Sequence, residues 1–422
     1  MRIDSITLYN FRCYDEITLN FLPGTNLLIG PNGAGKTTLL EGLSIALGSL
    51  FLGIRGYGSR NIRPDDIRII GHVYSGDISF ERQFPVRVLA TGEVFGQTMS
   101  WERILSGPHN RTSSKEAGEI KSLTQKIDSW IREGAKDVVL PLVAYYGNGR
   151  LWQEPRDTGD ELDKEAQDRL SRFMGYYLAI DPRCSPRELM KWLKRQEWIA
   201  FKEKKEPKLL NVVKQSIISC IEGATKIDFD PQREELVLSF GNGKTLPFST
   251  LSDGQRGIAA LVGDLATRAA RLNPQLAENV LSMTPGVVLI DEVDLYLHPK
   301  WQRTIIKNLE KVFPRVQFIC TTHSPQVIGG IEPERVINLA GHTVTQTLGL
   351  DSNSILKEVM DANERDAYAT ELLAKIYKYI DENKLDKANA SLNDLRNHAK
   401  GSDLETSRIE TIIENLRALM NE

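Results

Sequence analysis

One stretch of eight residues has the composition and spacing to hold a chain of phosphate groups. Residues 30–37 read GPNGAGKT and fit the pattern G-x-x-x-x-G-K-[ST]. The glycines let backbone N–H groups surround an anion, and the Lys36 ammonium can lie between its outer phosphates. The Thr37 hydroxyl is a suitable ligand for Mg²⁺. The stretch therefore predicts a site for a triphosphate and a magnesium ion.

A pair of adjacent carboxylates supplies the second chemical group. Asp291 and Glu292 follow residues 287–290, an apolar run that reads as a buried strand. Because a strand end presents its side chains to the crevice beside the phosphate loop, Asp291 can hold the magnesium shell and Glu292 can polarise an attacking water. The loop and the carboxylates together predict hydrolysis of a nucleoside triphosphate.

The elements around the loop are those that this chemistry requires. Residues 26–29 form a short apolar run typical of a strand, and residues 38–47 carry apolar side chains at helical spacing. Lys36 and Thr37 therefore open a helix. The N-terminus of this helix faces the loop with unpaired N–H groups and the positive end of its dipole.

A third motif lies between the first two. Residues 251–255, LSDGQ, open a helix that Ser252 caps. The motif resembles the L-S-G-G-Q signature of the ABC superfamily, with Asp253 in place of one glycine, a change tolerated in its SMC and RecF branches. In that superfamily the signature serine and glycine bind the γ-phosphate held by the other subunit's phosphate loop. The resemblance implies that two copies of the chain close around ATP.

Further stretches extend the resemblance. Residues 293–299, VDLYLHP, look like the D-loop region, with Asp294 at the dimer seam, and their ending resembles RecF-like and overcoming-lysogenisation-defect ATPases. His323 follows another apolar strand, as does the switch histidine that senses the γ-phosphate in this superfamily. The opening I-x-L-x-N-F-R of residues 6–12 resembles the start of SMC, SbcC and RecF heads.

The residues and the resemblance together define the expected site. The residues expected to bind ATP are Arg12, Asn32, Gly33, Gly35, Lys36, Thr37, Thr38, Ser252, Gly254, Gln255 and Asp294. Thr37 and Asp291 are the expected magnesium ligands, and Glu292 and His323 are the expected catalytic residues. The Q-loop glutamine stays open among Gln83, Gln97 and Gln153, and residues 145–150 are a further candidate for its role.

The resemblance implies an α/β fold, an ABC/SMC-type P-loop ATPase head with a mixed sheet, an antiparallel β subdomain, a helical lobe and a C-terminal helical module. The expected domains are an N-terminal ATPase lobe (1–150), a helical insertion lobe (151–225), a C-terminal ATPase lobe (226–345) and an acidic helical tail for assembly or partner docking (346–422). From Asp351 the tail has 15 acidic and 10 basic residues, a net charge of −5 that leaves +2 for the rest. One face of a tail helix carries Leu385, Ala388, Leu392 and Leu395, and it must pack either on its own chain or on a partner.

Several features that the chain lacks reduce the number of ATPase families that it can resemble. Unlike SbcC-like heads, the chain has no long coiled coil and no C-x-x-C pair, and fewer than 100 residues follow His323, with no carboxylate cluster for two-metal DNA cleavage. In size, at residues 145–152 (YYGNGRLW) and at residues 351–356 (DSNSIL), it resembles the PtuA family, the ATPase subunits of Septu anti-phage systems, also met beside retrons. That resemblance implies a separate HNH nuclease partner (PtuB-like) and a homodimer or higher homo-oligomer.

Composition limits the other partners. A net charge of −3 gives no overall attraction to nucleic acid, so contact with DNA, a further candidate partner, needs a local basic face. One such candidate, either a phosphate contact or an ordinary solvated sheet face, contains Arg55, Arg60, Arg63, Arg68, Arg82 and Arg87. No run approaches about 18 apolar residues, so we expect no membrane span and a cytoplasmic protein. The four scattered cysteines are expected to be thiols.

Three other functions fit parts of the pattern. A RecF-like DNA-repair ATPase would act on DNA without a nuclease partner. A transporter's ATP-binding subunit is disfavoured by the N-F-R opening, by Leu-His-Pro and by the acidic tail. A nucleotide-gated scaffold would bind ATP and scarcely hydrolyse it. The favoured function is control of a partner nuclease in phage defence by ATP-dependent dimerisation.

Overall fold

The computed structural model describes residues 1–74, 77–149, 171–182, 186–362, 365–401 and 403–420. The chain divides into two compact units, Met1–Leu350 and Asp351–Glu422. Some predictions concern residues outside the described ranges. They are the predictions for residues 150–153, which include Gln153, for the first part of the helical lobe, and for Cys184.

The chain contains fourteen strands and thirteen α-helices among its described residues. The strands are β1 (Arg2–Phe11), β2 (Tyr14–Asn20), β3 (Thr25–Ile29), β4 (Ile69–Tyr74), β5 (Asp77–Arg82), β6 (Val86–Val94), β7 (Gln97–Leu105), β8 (Leu142–Tyr146), β9 (Ala224–Asp230), β10 (Glu235–Phe240), β11 (Thr245–Pro247), β12 (Gly286–Ile290), β13 (Val316–Thr321) and β14 (Val336–Asn338). The α-helices are α1 (Lys36–Gly48), α2 (Gly118–Arg132), α3 (Pro186–Glu203), α4 (Lys208–Cys220), α5 (Asp253–Leu272), α6 (Val280–Met283), α7 (Pro299–Gln302), α8 (Ile305–Val312), α9 (Pro325–Ile328), α10 (Ser352–Ser354), α11 (Ala367–Asp381), α12 (Leu385–Ala399) and α13 (Leu404–Met420).

A five-stranded parallel sheet in the order β14-β3-β13-β12-β8 forms the core of the first unit. Every residue of β3, β8, β12 and β13 is buried, as is typical of parallel strands covered on both faces. Helix α1 packs against β12 and β13, and α5 packs against β8. The predicted α/β class is confirmed.

A four-stranded antiparallel sheet, in the order β2-β1-β6-β7, packs against α1. Gly42 allows the close approach, because a Cβ there would lie 2.6 Å from Leu8 Cδ2. The Gln317 side chain on β13 also bonds to the backbone of Ile3, donating from Nε2 to O and accepting at Oε1 from N, both at 2.8 Å. The two sheets are therefore joined directly as well as through α1.

The arginine-rich stretch is largely neutralised by carboxylates. Its ion pairs include Arg55–Asp128, Arg60–Glu41, Arg68–Asp15 and Arg87–Glu102. Arg63 and Arg82 are exposed. Of the two interpretations open from the sequence, this pattern favours a solvated sheet face over a continuous surface for phosphates.

One predicted boundary needs correction. In the sequence, residues 145–150 read as a turn after an apolar strand, but the strand continues further, because Tyr145 and Tyr146 extend β8 opposite Leu289 and Ile290 of β12. Each tyrosine is only 2% exposed, so its ring is buried while its backbone bonds within the sheet. In its described part, the charged helical lobe contains a short 3₁₀ helix (Arg172–Tyr176) and the two helices α3 and α4.

The second unit has an apolar core of its own. The core consists of Ala369, Leu372, Ile376, Leu385, Ala388, Leu392, Leu395, Ile409 and Ile413. It includes all four apolar positions singled out on α12, which pack with residues from α11 and α13. That face therefore packs on its own chain, and it needs no partner to cover it.

Candidate nucleotide site

Three neighbouring strands of the parallel sheet end at one edge with the polar residues of three motifs. Strands β3, β13 and β12 are adjacent, with Thr321 opposite Leu28 and Cys320 opposite Ile290. The phosphate loop, the carboxylate pair and His323 therefore leave the sheet side by side. The carboxyl edge of a parallel sheet is where ligands bind in folds of this class.

Glycines give the phosphate loop its backbone shape. Gly30, Gly33 and Gly35 have φ of 147°, 83° and 90°, a region that favours glycine. A Cβ on Gly35 would lie 2.2 Å from Tyr14 Oη, which donates a hydrogen bond to Ala34 O at 2.8 Å. Burial raises the pKa of Tyr14, which keeps its hydroxyl a donor. Gly35 is required both for its φ and for this close approach.

Lys36 is folded beneath the loop. Its Nζ donates to Gly30 O at 2.8 Å and to Pro31 O at 3.0 Å, and the residue is 8% exposed. Burial lowers the pKa of Lys36, and the negative charges of Asp291 and Glu292 oppose that shift. An ammonium has three protons to donate, so one remains for an anionic ligand.

Asp291 links the motifs through its two carboxylate oxygens. Oδ2 accepts a hydrogen bond from Thr37 Oγ1 at 2.9 Å, and Oδ1 accepts one from Thr321 Oγ1 at 2.6 Å. The two residues expected to bind magnesium are thus in direct contact. Hydroxyl and carboxylate oxygens are the ligands that Mg²⁺ prefers, so this donor set fits the ion.

The two expected catalytic residues lie at neighbouring strand ends. Glu292 has a left-handed backbone, with φ of 49°, and its N–H donates to Thr321 Oγ1 at 2.7 Å. Its side chain is half-buried, and His323 is exposed. Asp294, the expected D-loop residue, accepts a hydrogen bond from the Thr322 hydroxyl.

The expected signature begins α5. Ser252 Oγ accepts a hydrogen bond from Gln255 N at 3.3 Å, and Gln255 Oε1 accepts one from Ser252 N at 3.2 Å, which forms a capping box. A Cβ on Gly254 would lie 2.7 Å from Tyr296 O, so the helix start packs closely on that segment. Within the part of the chain that the structure describes, Ser252, Gly254 and Gln255 make no hydrogen bond to residues 30–38.

Three further residues that are expected to bind ATP differ in what surrounds their side chains. Arg12 Nη2 lies 2.7 Å from Asp66 Oδ1 and 4.0 Å from Glu41 Oε2, so its guanidinium is held by carboxylates. Asn32 is exposed on the loop, and Thr38 is half-buried in the first turn of α1.

Two residues near the site make contacts that the sequence does not predict. The Tyr145 hydroxyl donates to Glu41 Oε1 at 3.1 Å, and burial, with the charges of Glu41 and Asp291, raises the pKa of Tyr145. Thr321 contacts both carboxylate residues of the pair. For Thr321, the sequence signal was a hydroxyl side chain at the end of an apolar strand, two residues before His323.

Comparison with known families and proteins gives consistent matches. A family model described as an AAA domain matches residues 5–224, more than half of the chain. A second AAA domain model, described with the AbiEii toxin and type IV TA systems, matches residues 203–329. Together these ranges include the phosphate loop, the signature, the carboxylate pair and His323.

Relatives match over most of the chain. The chain is 27% identical to the "Retron Vc95 probable ATPase" of Vibrio cholerae serotype O1 biovar El Tor, over 90% of this chain and 83% of that protein. It is 24% identical to the Septu protein PtuA of Bacillus thuringiensis, over 92% of this chain and 90% of that protein. Among solved structures, an SMC head bound to the C-terminal winged-helix domain of ScpA matches with a TM-score of 0.45 and 14% identity, over 80% of this chain and 94% of that one.

Over the described ranges, every helix is either too short or too polar to cross a bilayer.

Proposed function

Because the chain belongs to the AAA domain family, we propose that it binds and hydrolyses ATP with Mg²⁺ and serves as the ATPase subunit of an anti-phage system of the retron or Septu kind. The observation that carries the ATPase role is the Asp291 carboxylate held between the Thr37 and Thr321 hydroxyls. These two hydrogen bonds connect the carboxylate pair to the phosphate loop and to β13, the strand that precedes His323. The match to a retron ATPase and to PtuA over about nine-tenths of the chain supports the defence role.

In this proposal, different residues of the chain bind Mg²⁺, hold the phosphates and assist hydrolysis. Thr37 and Asp291 hold Mg²⁺, which neutralises charge on the β- and γ-phosphates when bound. The residues that hold the phosphates are Asn32, Gly33, Gly35, Lys36, Thr37 and Thr38, with Arg12 as a further candidate. Glu292 orients a water and accepts its proton, and His323 contacts the γ-phosphate. Lys36 can donate a third hydrogen bond, to a phosphate oxygen, while it keeps its hydrogen bonds to Gly30 O and Pro31 O.

We further propose that ATP joins two copies of the chain. The signature residues make no hydrogen bond to the phosphate loop within the described part of one chain, and at the start of α5 Ser252 is exposed and Gln255 half-buried. A second copy would bring its own Ser252, Gly254, Gln255 and Asp294 to the γ-phosphate. Each dimer then contains two composite sites.

We propose that this dimer controls a separate HNH nuclease resembling PtuB. Here the support is the similarity to Septu PtuA and the acidic second unit, because an acidic module favours encounter with the basic surface of a DNA-cutting enzyme. DNA would then be reached through the nuclease, and the neutralised arginines of the first unit are consistent with that division.

The test expresses the chain together with an HNH protein resembling PtuB, chosen from the genes beside that of the chain if one is encoded there. We expect co-purification of the two proteins, ATP hydrolysis by the pair, and DNA cleavage that changes between ATP and ADP. Lys36→Ala should abolish both hydrolysis and the nucleotide response. An HNH protein that neither binds the chain nor responds to nucleotide would instead favour a RecF-like ATPase without a nuclease partner.

A further inference from the structure

We propose that Thr321 is a positioning residue for ATP hydrolysis, acting through the two carboxylate residues that follow β12. The inference rests on the ATPase function proposed above. It adds a role for a buried threonine that belongs to none of the five nucleotide motifs, which are the phosphate loop, the signature, the carboxylate pair, the D-loop and the switch histidine.

Thr321 bonds to three consecutive residues of the neighbouring strand end. Its hydroxyl donates to Asp291 Oδ1 at 2.6 Å and accepts from Glu292 N at 2.7 Å, and its carbonyl accepts from Val293 N at 3.0 Å. The Thr321 side chain is fully buried. The segment from Asp291 to Val293 is therefore attached to β13 at every residue.

The directions of the two hydroxyl bonds are determined by chemistry. A backbone N–H can only donate, so the Glu292 N–H must use a lone pair of Thr321 Oγ1. The single hydroxyl proton must then point to Asp291, which is an acceptor when ionised. One hydroxyl thus satisfies both groups, and its bond to the ionised carboxylate is of the stronger, charge-assisted kind.

These bonds set two geometries that hydrolysis needs. With Oδ1 occupied by Thr321, the carboxylate of Asp291 presents Oδ2 to Thr37, which orients the expected magnesium ligands. The bond to Glu292 N holds a left-handed backbone, with φ of 49°, that a non-glycine residue seldom adopts without support. The direction in which Glu292 points therefore depends on Thr321.

The sharpest test replaces the hydroxyl with a methyl group of nearly equal volume. Thr321→Val removes both hydrogen bonds while keeping the buried shape, and Thr321→Ser keeps both. The matched control is Thr267→Val, because Thr267 is also buried and its hydroxyl has no hydrogen-bond partner among the described residues. Each variant is measured for kcat, for KM, and for binding of a fluorescent ATP analogue at varied Mg²⁺ concentration.

Three results are expected if Thr321 positions the carboxylates. Losing a bond to a charged group at the site should lower kcat of Thr321→Val by about 10- to 100-fold with little change in KM. The Mg²⁺ concentration needed for half-maximal analogue binding should rise, which is a readout independent of turnover. Thr321→Ser should restore both quantities to near the wild-type values, and Thr267→Val should change neither.

Contrary outcomes separate this inference from the proposed function. If the wild-type chain hydrolyses ATP no faster than Lys36→Ala, the proposed ATPase function fails. If the wild type is active and Thr321→Val matches it in kcat and in Mg²⁺ dependence, the positioning role fails. If Thr321→Val does not fold, as judged by circular dichroism, Thr321→Cys replaces it, since a thiol keeps the size of Ser with much weaker hydrogen bonds. Equal activity of the Cys and Ser variants would then overturn the inference.

Discussion

Glu292 is the residue on which the proposed chemistry depends most directly. It follows Asp291 at the end of β12, which β13 separates from the phosphate loop strand β3, and the residue is half-buried. Its backbone is held by Thr321, so the side chain leaves the sheet in a defined direction. A carboxylate in this position can take a proton from water only if it is ionised and oriented.

We therefore expect Glu292→Gln to bind ATP and scarcely hydrolyse it. The amide keeps the size of the side chain and loses the base, and general-base assistance is worth about 100- to 10,000-fold in rate. Equilibrium binding of ATP and steady-state release of phosphate measure the two effects separately. Lys36→Ala is the contrasting variant, because it should lose binding itself. Wild-type turnover in Glu292→Gln would rule out its assignment as the base.

Arg60 makes a different kind of contribution at the same scale. Its guanidinium pairs with Glu41 on α1 and lies 3.6 Å from Asp66, a fully buried carboxylate. Arg60→Met should lower the free energy of unfolding by about 1–3 kcal/mol, because Glu41 and Asp66 lose one of their two cations and keep only Arg12. Urea unfolding measures this loss. The matched control is Arg63→Met, at an exposed arginine three residues away, and an equal loss there would contradict the explanation.

At the scale of elements, the parallel sheet and α5 have separate tasks. The sheet gathers the phosphate loop, the carboxylates and His323 at one edge. Helix α5 carries the signature at its capped, exposed start and packs against β8. This distribution of elements is consistent with the shared site proposed above.

Mixing two inactive variants tests that arrangement. Ser252→Arg should spare ATP binding and reduce hydrolysis to background, because the arginine would occupy the place of the partner's γ-phosphate. Combined with Lys36→Ala chains, it should recover activity, since one composite site per mixed dimer keeps both an intact loop and an intact signature. Ser282→Arg, at an exposed serine on α6, is the control for a bulky surface substitution.

A mixture that recovers nothing needs one more measurement. A disulfide crosslink between cysteines placed at Ser252 and Asn32 would form between two chains if ATP closes the dimer. Absence of that crosslink in the presence of ATP, together with an inactive mixture, would refute the shared site.

At the scale of the whole molecule, the two units have separate apolar cores. The nine residues of the apolar core of the second unit pack with one another, so helices α11–α13 have the internal support that an independent fold requires. Its net charge of −5 differs in sign from the rest of the chain. Stability and partner binding can therefore be separated by experiment.

We expect a chain ending at Leu350 to remain folded, to bind ATP and to lose affinity for its nuclease partner. If the acidic unit acts through charge, the partner affinity of the full-length chain should fall as salt rises, because charges further apart than about 8 Å are screened at physiological ionic strength. Nucleotide binding and partner affinity at several salt concentrations measure both effects. Retained, salt-independent partner binding in the shortened chain would exclude docking through this unit.

Much of the fold and the site is predictable from short stretches of sequence. The phosphate loop and its glycines, the capping box at Ser252, and the apolar strands before Asp291 and His323 all depend on neighbouring residues, so local chemistry is enough to identify them. The helices of the second unit follow from periodicity for the same reason. The α/β class then follows from the order of these elements.

The tertiary structure decided which of these elements meet and what their side chains contact. The order of strands in a sheet is not encoded in any one strand. Only the fold could therefore bring the Thr321 hydroxyl into contact with both Asp291 and Glu292, or the Tyr145 hydroxyl into contact with Glu41. Likewise, the arginine-rich stretch and the apolar face of α12 were ambiguous in sequence, because their partners come from distant residues or from other helices. Motif chemistry is local and readable from sequence, whereas the pairing of charges, hydroxyls and apolar faces depends on contacts that only folding creates.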